Sequence, residues 1–227
     1  MIEKIKIDTN NASDIIYKEL LINNQKITII YSEVLASGED ISQIILKNIS
    51  YIVEKELIIN NLFLYLYNNI PGHNRVVIKD YQDLLKKLFN GYTIIYINDL
   101  EIFALETKSK LDRGINTVNS ELSVRGPKDS FTENFNKNFG LIRKRIKNES
   151  LWIKDIIIGK YSQTKVGVCY INGIANKDLI EKVTTRLERI DTDGIIDSGY
   201  LKKYLVEKNS IFPTIITTER PDIVCMA

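Results

Sequence analysis

Two stretches of this chain, KITIIYSEVLASGEDI (Lys26 to Ile41) and KVGVCYINGIANKDLI (Lys165 to Ile180), superpose at a constant spacing of 165 − 26 = 139 residues. Lys, Tyr, Ala and Ile coincide, and apolar positions meet apolar ones along the strand-like half. The same spacing lays VVIKDYQDLL (Val76 to Leu85) on IITTERPDIV (Ile215 to Val224), with Asp83 over Asp222. Upstream, SDIIYKE and KDIIIGK pair at 155 − 14 = 141, as a hairpin differing by two residues would allow. A repeated strand-and-helix unit constrains the fold strongly, because each copy must bury one sheet face under its own helix. The expected fold class is α/β: two similar small lobes with mixed sheets, related by internal duplication and joined by a linker plus helix. The expected boundaries are residues 1–112 for the first lobe, 113–150 for the linker and connecting helix, and 151–227 for the second lobe.

In the first lobe, Asp14 to Leu20 and Ile27 to Leu35 read as strands around a polar turn at Asn23-Asn24. A helix follows Ser37-Gly38, with Ile41, Ile44, Ile45, Ile49 and Ile52 on one stripe. Next come a strand at Val76 to Lys79, a helix at Asp80 to Phe89 and a left-handed turn at Gly91. GYTIIYINDLEIFALE then reads as a hairpin turning at Asn98-Asp99. The second lobe repeats the opening with strands near Ile153 to Lys160 and Lys165 to Ile171 and a helix at Lys177 to Ile190. The repeat then calls for a closing hairpin beyond Ala227, so the chain is expected to be part of a longer protein. Ser130-Phe-Thr-Glu133 has capping-box spacing and places a helix start between the lobes. Phe131, Phe135, Phe139, Ile142 and Ile146 supply its apolar stripe, and Lys137, Arg143, Lys144, Arg145 and Lys147 the charge around it.

Composition excludes several functions. The 31 Lys and Arg exceed the 29 Asp and Glu by 2, so no overall field draws in nucleic acid or an anionic membrane. Cys169 and Cys225 are far apart in sequence and form no CxxC pair, which points to reduced thiols. No apolar run is long enough to span a bilayer, and MIEKIKIDTN is no signal peptide.

Candidate sites are sparse. VRGPKDSFTE looks like a phosphate loop but lacks the second glycine and the Gly-Lys-Ser/Thr ending. Arg125 and Lys128 precede a helix start and could hold an anion there; the alternative is a linker with Arg125 bound to a carboxylate of the neighbouring lobe. Glu219 and Arg220, in TTERPD, read as a structural pair, with meeting that linker as the alternative, and Pro221 stands at an early helical position. His73 lies in a turn-like stretch without a nucleophile nearby, and reads as a surface residue. DTDGIIDSG lacks calcium-loop ligands and reads as a turn with Asp197 or Ser198 capping a helix. Trp152, Tyr65, Tyr67, Tyr92 and Tyr96 read as packing residues in preference to a base-stacking surface. No metal-ligand cluster, nucleophile elbow or paired carboxylates are visible, so no cofactor is expected.

The run VRGPKDSFTENFNKNFGLIRKRIKNESL, with IGKYSQTKVGVCYINGIA, IDSGYL and ITTERPD in order behind it, resembles the N-terminal domain of the spore germinant receptor A subunits, the GerA family. The likeness is specific from about Glu121 to Asp222 and fainter from Ser13 to Thr107. Ser130 stands where that family usually has Gly, and KNSIFP where it usually reads close to SPFP.

The resemblance implies a receptor component, not an enzyme, followed by a membrane anchor. It implies B and C subunits as partners, with self-association and a small nutrient (amino acid, sugar or nucleoside) also open. It places the protein in the spore inner membrane with this domain on the cytoplasmic, spore-core side. Two roles stay open: lobes that close on a nutrient near Arg125, Lys128, Glu219 and Arg220, or a relay or assembly module without a ligand site of its own.

Overall fold

The computed structural model describes residues 1–72, 74–110, 129–206 and 214–226. A short helix α1 (Ile2–Asp8) leads into the hairpin β1 (Ile15–Ile22) and β2 (Gln25–Ser32). A helical stretch follows, made of α2 (Gly38–Asp40), a π-helical segment (Ile41–Leu46) and α3 (Lys47–Glu54). Then come α4 (Leu62–Asn69), β3 (Arg75–Val77), α5 (Tyr81–Leu88) and the hairpin β4 (Tyr92–Ile97) and β5 (Glu101–Glu106). Helix α6 (Phe135–Arg145) crosses to a second hairpin, β6 (Leu151–Ile158) and β7 (Thr164–Ile171), followed by α7 (Lys177–Glu188), α8 (Ser198–Leu205) and α9 (Pro221–Met226).

The first sheet has the order β1-β2-β4-β5-β3 and the second the order β6-β7. Every pairing among the described residues is antiparallel, so the expected mixed sheets are corrected to antiparallel ones within the α/β class. The turns explain this. Asn23, Asn24, Asn98 and Asp99 all hold positive φ, the conformation that closes a two-residue hairpin in register.

Period-two alternation splits the first sheet between two cores. Ile27, Ile29, Ile95, Ile97, Phe103 and Leu105 face Ile41, Ile45, Ile49 and Ile52 of the helical stretch and Leu62 and Leu66 of α4. Ile30, Ile94 and Ala104 face α1, α5 and α6 together with Leu151 and Ile153 of β6. Each fully buried isoleucine contributes roughly 1.5–3 kcal/mol, whereas an exposed ion pair such as Lys6–Glu3 is screened by water and adds little, so these faces hold the fold. Strand β6 changes sides halfway: Ile156 and Ile158 point away from that shared core and pack with Leu187 of α7, Ile195 and α8.

Some element starts keep the spacing of the sequence repeat. Strands β2 and β7 begin 164 − 25 = 139 residues apart, and so do α2 and α7 at 177 − 38 = 139. Ser37 and Asn176, also 139 apart, cap those helices through their side chains. The hairpin spacing expected upstream is wrong, however: β1 and β6 begin 151 − 15 = 136 apart, because the second turn, residues 159–163, is longer than the two-residue first one.

Candidate functional site

Helix α6 lies between the first sheet and the β6–β7 hairpin in the chain, and its local chemistry differs from the expected capping box. Asn134, not Ser130, is the cap, accepting from the Lys137 amide at 2.9 Å. Asn138 folds back on Thr132, accepting from its amide at 2.7 Å and so holding residues 132–134 off the helix axis. Ser130 is used elsewhere: its Oγ donates to the Glu219 carbonyl at 3.2 Å, beside the Phe131 amide at 2.8 Å.

Arg143, expected among the charges around the helix, is fully buried. It lies four residues after Phe139 on the inward face, and its guanidinium sits over the Phe139 and Phe89 rings at 5.1 and 4.9 Å from their centroids. It donates to the Asp14 carboxylate at 2.8 Å and to the Leu151 carbonyl at 3.0 Å. Asp14, 2% exposed, also accepts from Ser32 Oγ at 2.9 Å. One side chain thus links α6, the start of β1 and the start of β6. The four-residue spacing of Phe135, Phe139 and Arg143 puts the arginine on the apolar face, but nothing local in the sequence names its partner. Nearby, Asp8 closes α1 onto α5 and β6 by accepting from Tyr81 Oη at 2.6 Å and, through its carbonyl, from Trp152 Nε1 at 3.0 Å. Burial and that carboxylate push the Tyr81 hydroxyl well above its ordinary value.

Of the four expected site residues, Arg125 and Lys128 lie outside the described residues, as does His73. Glu219 and Arg220 lie beside the lead-in to α6. Arg220 makes a two-pronged contact with Asp222, at 3.2 and 2.6 Å, and its guanidinium lowers the Asp222 carboxyl below its ordinary range. Arg145 pairs with Asp129 at 2.6 Å on the same side, and Pro221 opens α9 as expected. Asp197 caps α8, also as expected. Cys169 and Cys225 are both free. Among the described residues no group of His, Cys, Asp or Glu is placed to hold a metal, and no helix is long and apolar enough to cross a membrane.

Comparison with known proteins agrees with this geometry. The model of the family described as Bacillus/Clostridium GerA spore germination protein matches residues 3–227. Spore germination protein KA of Bacillus subtilis (strain 168) is 30% identical over 98% of this chain and 42% of its own length. Spore germination protein A1 of the same organism is 38% identical over 63% of this chain and 30% of its own. This chain therefore spans less than half of each of these relatives. The crystal structure of the N-terminal domain of the A subunit of the Bacillus megaterium spore germinant receptor GerK3 matches with a TM-score of 0.70 and 27% identity, covering 99% of this chain and 84% of that one. The chain belongs to the Bacillus/Clostridium GerA spore germination protein family.

Proposed function

We propose that this chain is the N-terminal domain of a germinant receptor A subunit and that it relays a signal between the receptor's other parts instead of closing on a nutrient. The observation that carries this reading is the buried Arg143–Asp14 pair inside a core shared by both lobes. A cleft that opens and closes would expose that pair to water at each cycle, whereas a rigid junction passes displacement of one lobe to the other. On this reading Glu219 and Arg220, with Arg125 and Lys128, form an inter-lobe contact and not a nutrient site. The full-length protein sits in the spore inner membrane with this domain on the spore-core side, and B and C subunits receive the signal. It performs no catalysis.

The test is a two-dimensional NMR titration of the chain with amino acids, sugars and nucleosides. A flat response at residues 129–131 and 219–222 supports the relay. Saturable shifts grouped there would make the domain the nutrient sensor and end the relay reading.

A further inference from the structure

Strands β2 and β7 hold matching places. Each is the second, eight-residue strand of an antiparallel hairpin and leads to a helical stretch capped by a side chain, Ser37 or Asn176, at 176 − 37 = 139 positions apart. Their surroundings differ. On its far side β2 pairs with β4, in the register Ile27↔Ile97 to Ile30↔Ile94, and Ile27, Ile29 and Ile30 are fully buried. Strand β7 pairs with β6 on one side, and among the described residues no strand takes the other. Val166 and Val168, which stand where β2 has Ile27 and Ile29, are only partly buried, and Ile174 is 82% exposed where its counterpart Leu35 is 7% exposed.

Backbone polarity points the same way. The Asn172 amide donates to the Ser150 carbonyl at 2.8 Å, and bonding alternates along an antiparallel pair, so with Leu151 opposite Ile171 the amides of Val166, Val168 and Tyr170 turn to β6. Those of Lys165, Gly167 and Cys169 turn outward. Their counterparts Lys26, Thr28 and Ile30 share the parity that bonds to β4, as the Lys26 carbonyl shows by accepting from the Asn98 amide at 2.8 Å. The β6–β7 ladder runs unbroken over eight residues with no bulge or proline in β7 to blunt its edge.

We propose that the outer edge of β7 accepts an antiparallel strand from the segment that follows Ala227 in the full-length protein, as β2 accepts β4. Strand β4 begins 92 − 25 = 67 residues after β2, and the same interval from Thr164 runs just past Ala227. The relatives that match this chain, and the matching crystallised domain, are longer than it is. Closing a loop within one chain costs far less than recruiting the edge of a second molecule at low concentration, which favours the chain's own strand over a second copy. The incoming strand covers Val166, Val168 and Ile174 with apolar side chains. It also fastens the β6–β7 hairpin, whose first residue Leu151 bonds to Arg143, to the part of the protein that follows. This inference rests on reading the chain as the front of a longer A subunit, and not on the relay role.

The experiment is residue-resolved amide hydrogen exchange of β7, compared between the full-length protein in detergent and residues 1–227 alone at several concentrations. The amides of Val166, Val168 and Tyr170, bonded to β6, are expected to exchange slowly in both and serve as the internal reference. Those of Gly167 and Cys169 are expected to exchange fast in residues 1–227 and about tenfold or more slowly in the full-length protein. Fast exchange in both would leave the edge open and overturn the proposal. Slow exchange in both would mean that residues 1–227 cover the edge themselves, and protection of the short chain that grows with its concentration would mean pairing between copies; either result overturns it as well. A full-length protein that requires detergent upholds the receptor reading whichever way β7 exchanges, and the relay is read at residues 129–131 and 219–222, so the readings fail separately.

Discussion

Arg143 and Asp14 are 129 positions apart in sequence and 2.8 Å apart in space, and neither side chain is more than 2% exposed. Two charges are withdrawn from water at that contact. The cost is offset because the guanidinium also bonds to the Leu151 carbonyl and lies against two phenylalanine rings, while the carboxylate also accepts from Ser32.

Removing one partner leaves the other buried and uncompensated. Arg143→Met or Asp14→Asn is therefore expected to lower stability by about 3–5 kcal/mol, and the double variant to recover most of that loss. Urea unfolding of all four proteins measures it. Single-variant losses that simply add in the double would mean that the pair is not coupled.

Alkaline stability has a specific contributor. Burial, followed by the Asp14 carboxylate, pushes the Tyr17 hydroxyl up to about 12 in the folded chain, against the ordinary value of 10.0. The folded state thus holds this proton more tightly than the unfolded one. The stability it contributes is complete below pH 10 and is lost as pH rises toward 12. Tyr17 Oη is buried and meets no hydrogen-bond partner at ordinary geometry, with Thr9 only a weak polar neighbour, so Tyr17→Phe should cost little at neutral pH and flatten this part of the alkaline fall. Thermal midpoints from pH 8 upward test both halves; an unchanged alkaline slope in the variant would remove Tyr17 as the cause.

Glycines provide a paired comparison. Gly91 has φ +79° and would press a Cβ against the Leu35 carbonyl, whereas nothing lies within 4 Å of a Cβ built at Gly38 in α2. Gly91→Ala should destabilise by more than about 1 kcal/mol, and Gly38→Ala should be neutral or stabilise by up to about 1 kcal/mol. Denaturation midpoints of the two variants decide it.

Local chemistry made much of this fold legible in the sequence. The Asn23-Asn24 and Asn98-Asp99 turns, the isoleucine stripe of the helical stretch and the helix starts near Ser37 and Asp80 are short-range signals, and each stands where it was expected. Helices α1 and α4 escaped: α1 is short, and LFLYLYNN is apolar on most sides, so neither gives a clear stripe. The Arg143–Asp14 pair escaped for another reason. An arginine four residues beyond Phe139 reads as surface charge until its partner from β1 is brought alongside, and that placement is tertiary.

The start of α6 separates sequence pattern from structure at single-residue level. A capping box would make Ser130 and Glu133 the stabilising residues, yet Asn134 accepts the Lys137 amide, and Glu133 makes no hydrogen bond to a described residue. Asn134→Ala is therefore expected to cost about 1 kcal/mol, the ordinary value of a lost N-cap. Glu133→Ala should stay within about 0.5 kcal/mol of the parent, as an exposed substitution away from any special contact does. Ser130→Ala removes one hydroxyl donor from the Glu219 carbonyl but leaves the Phe131 amide bonded there, so its cost should fall between the two. Chemical denaturation of the three variants gives the order directly. If Glu133→Ala proved the most costly, the helix would begin at the capping box after all, and the hold of residues 129–131 on Glu219 would have to be redrawn.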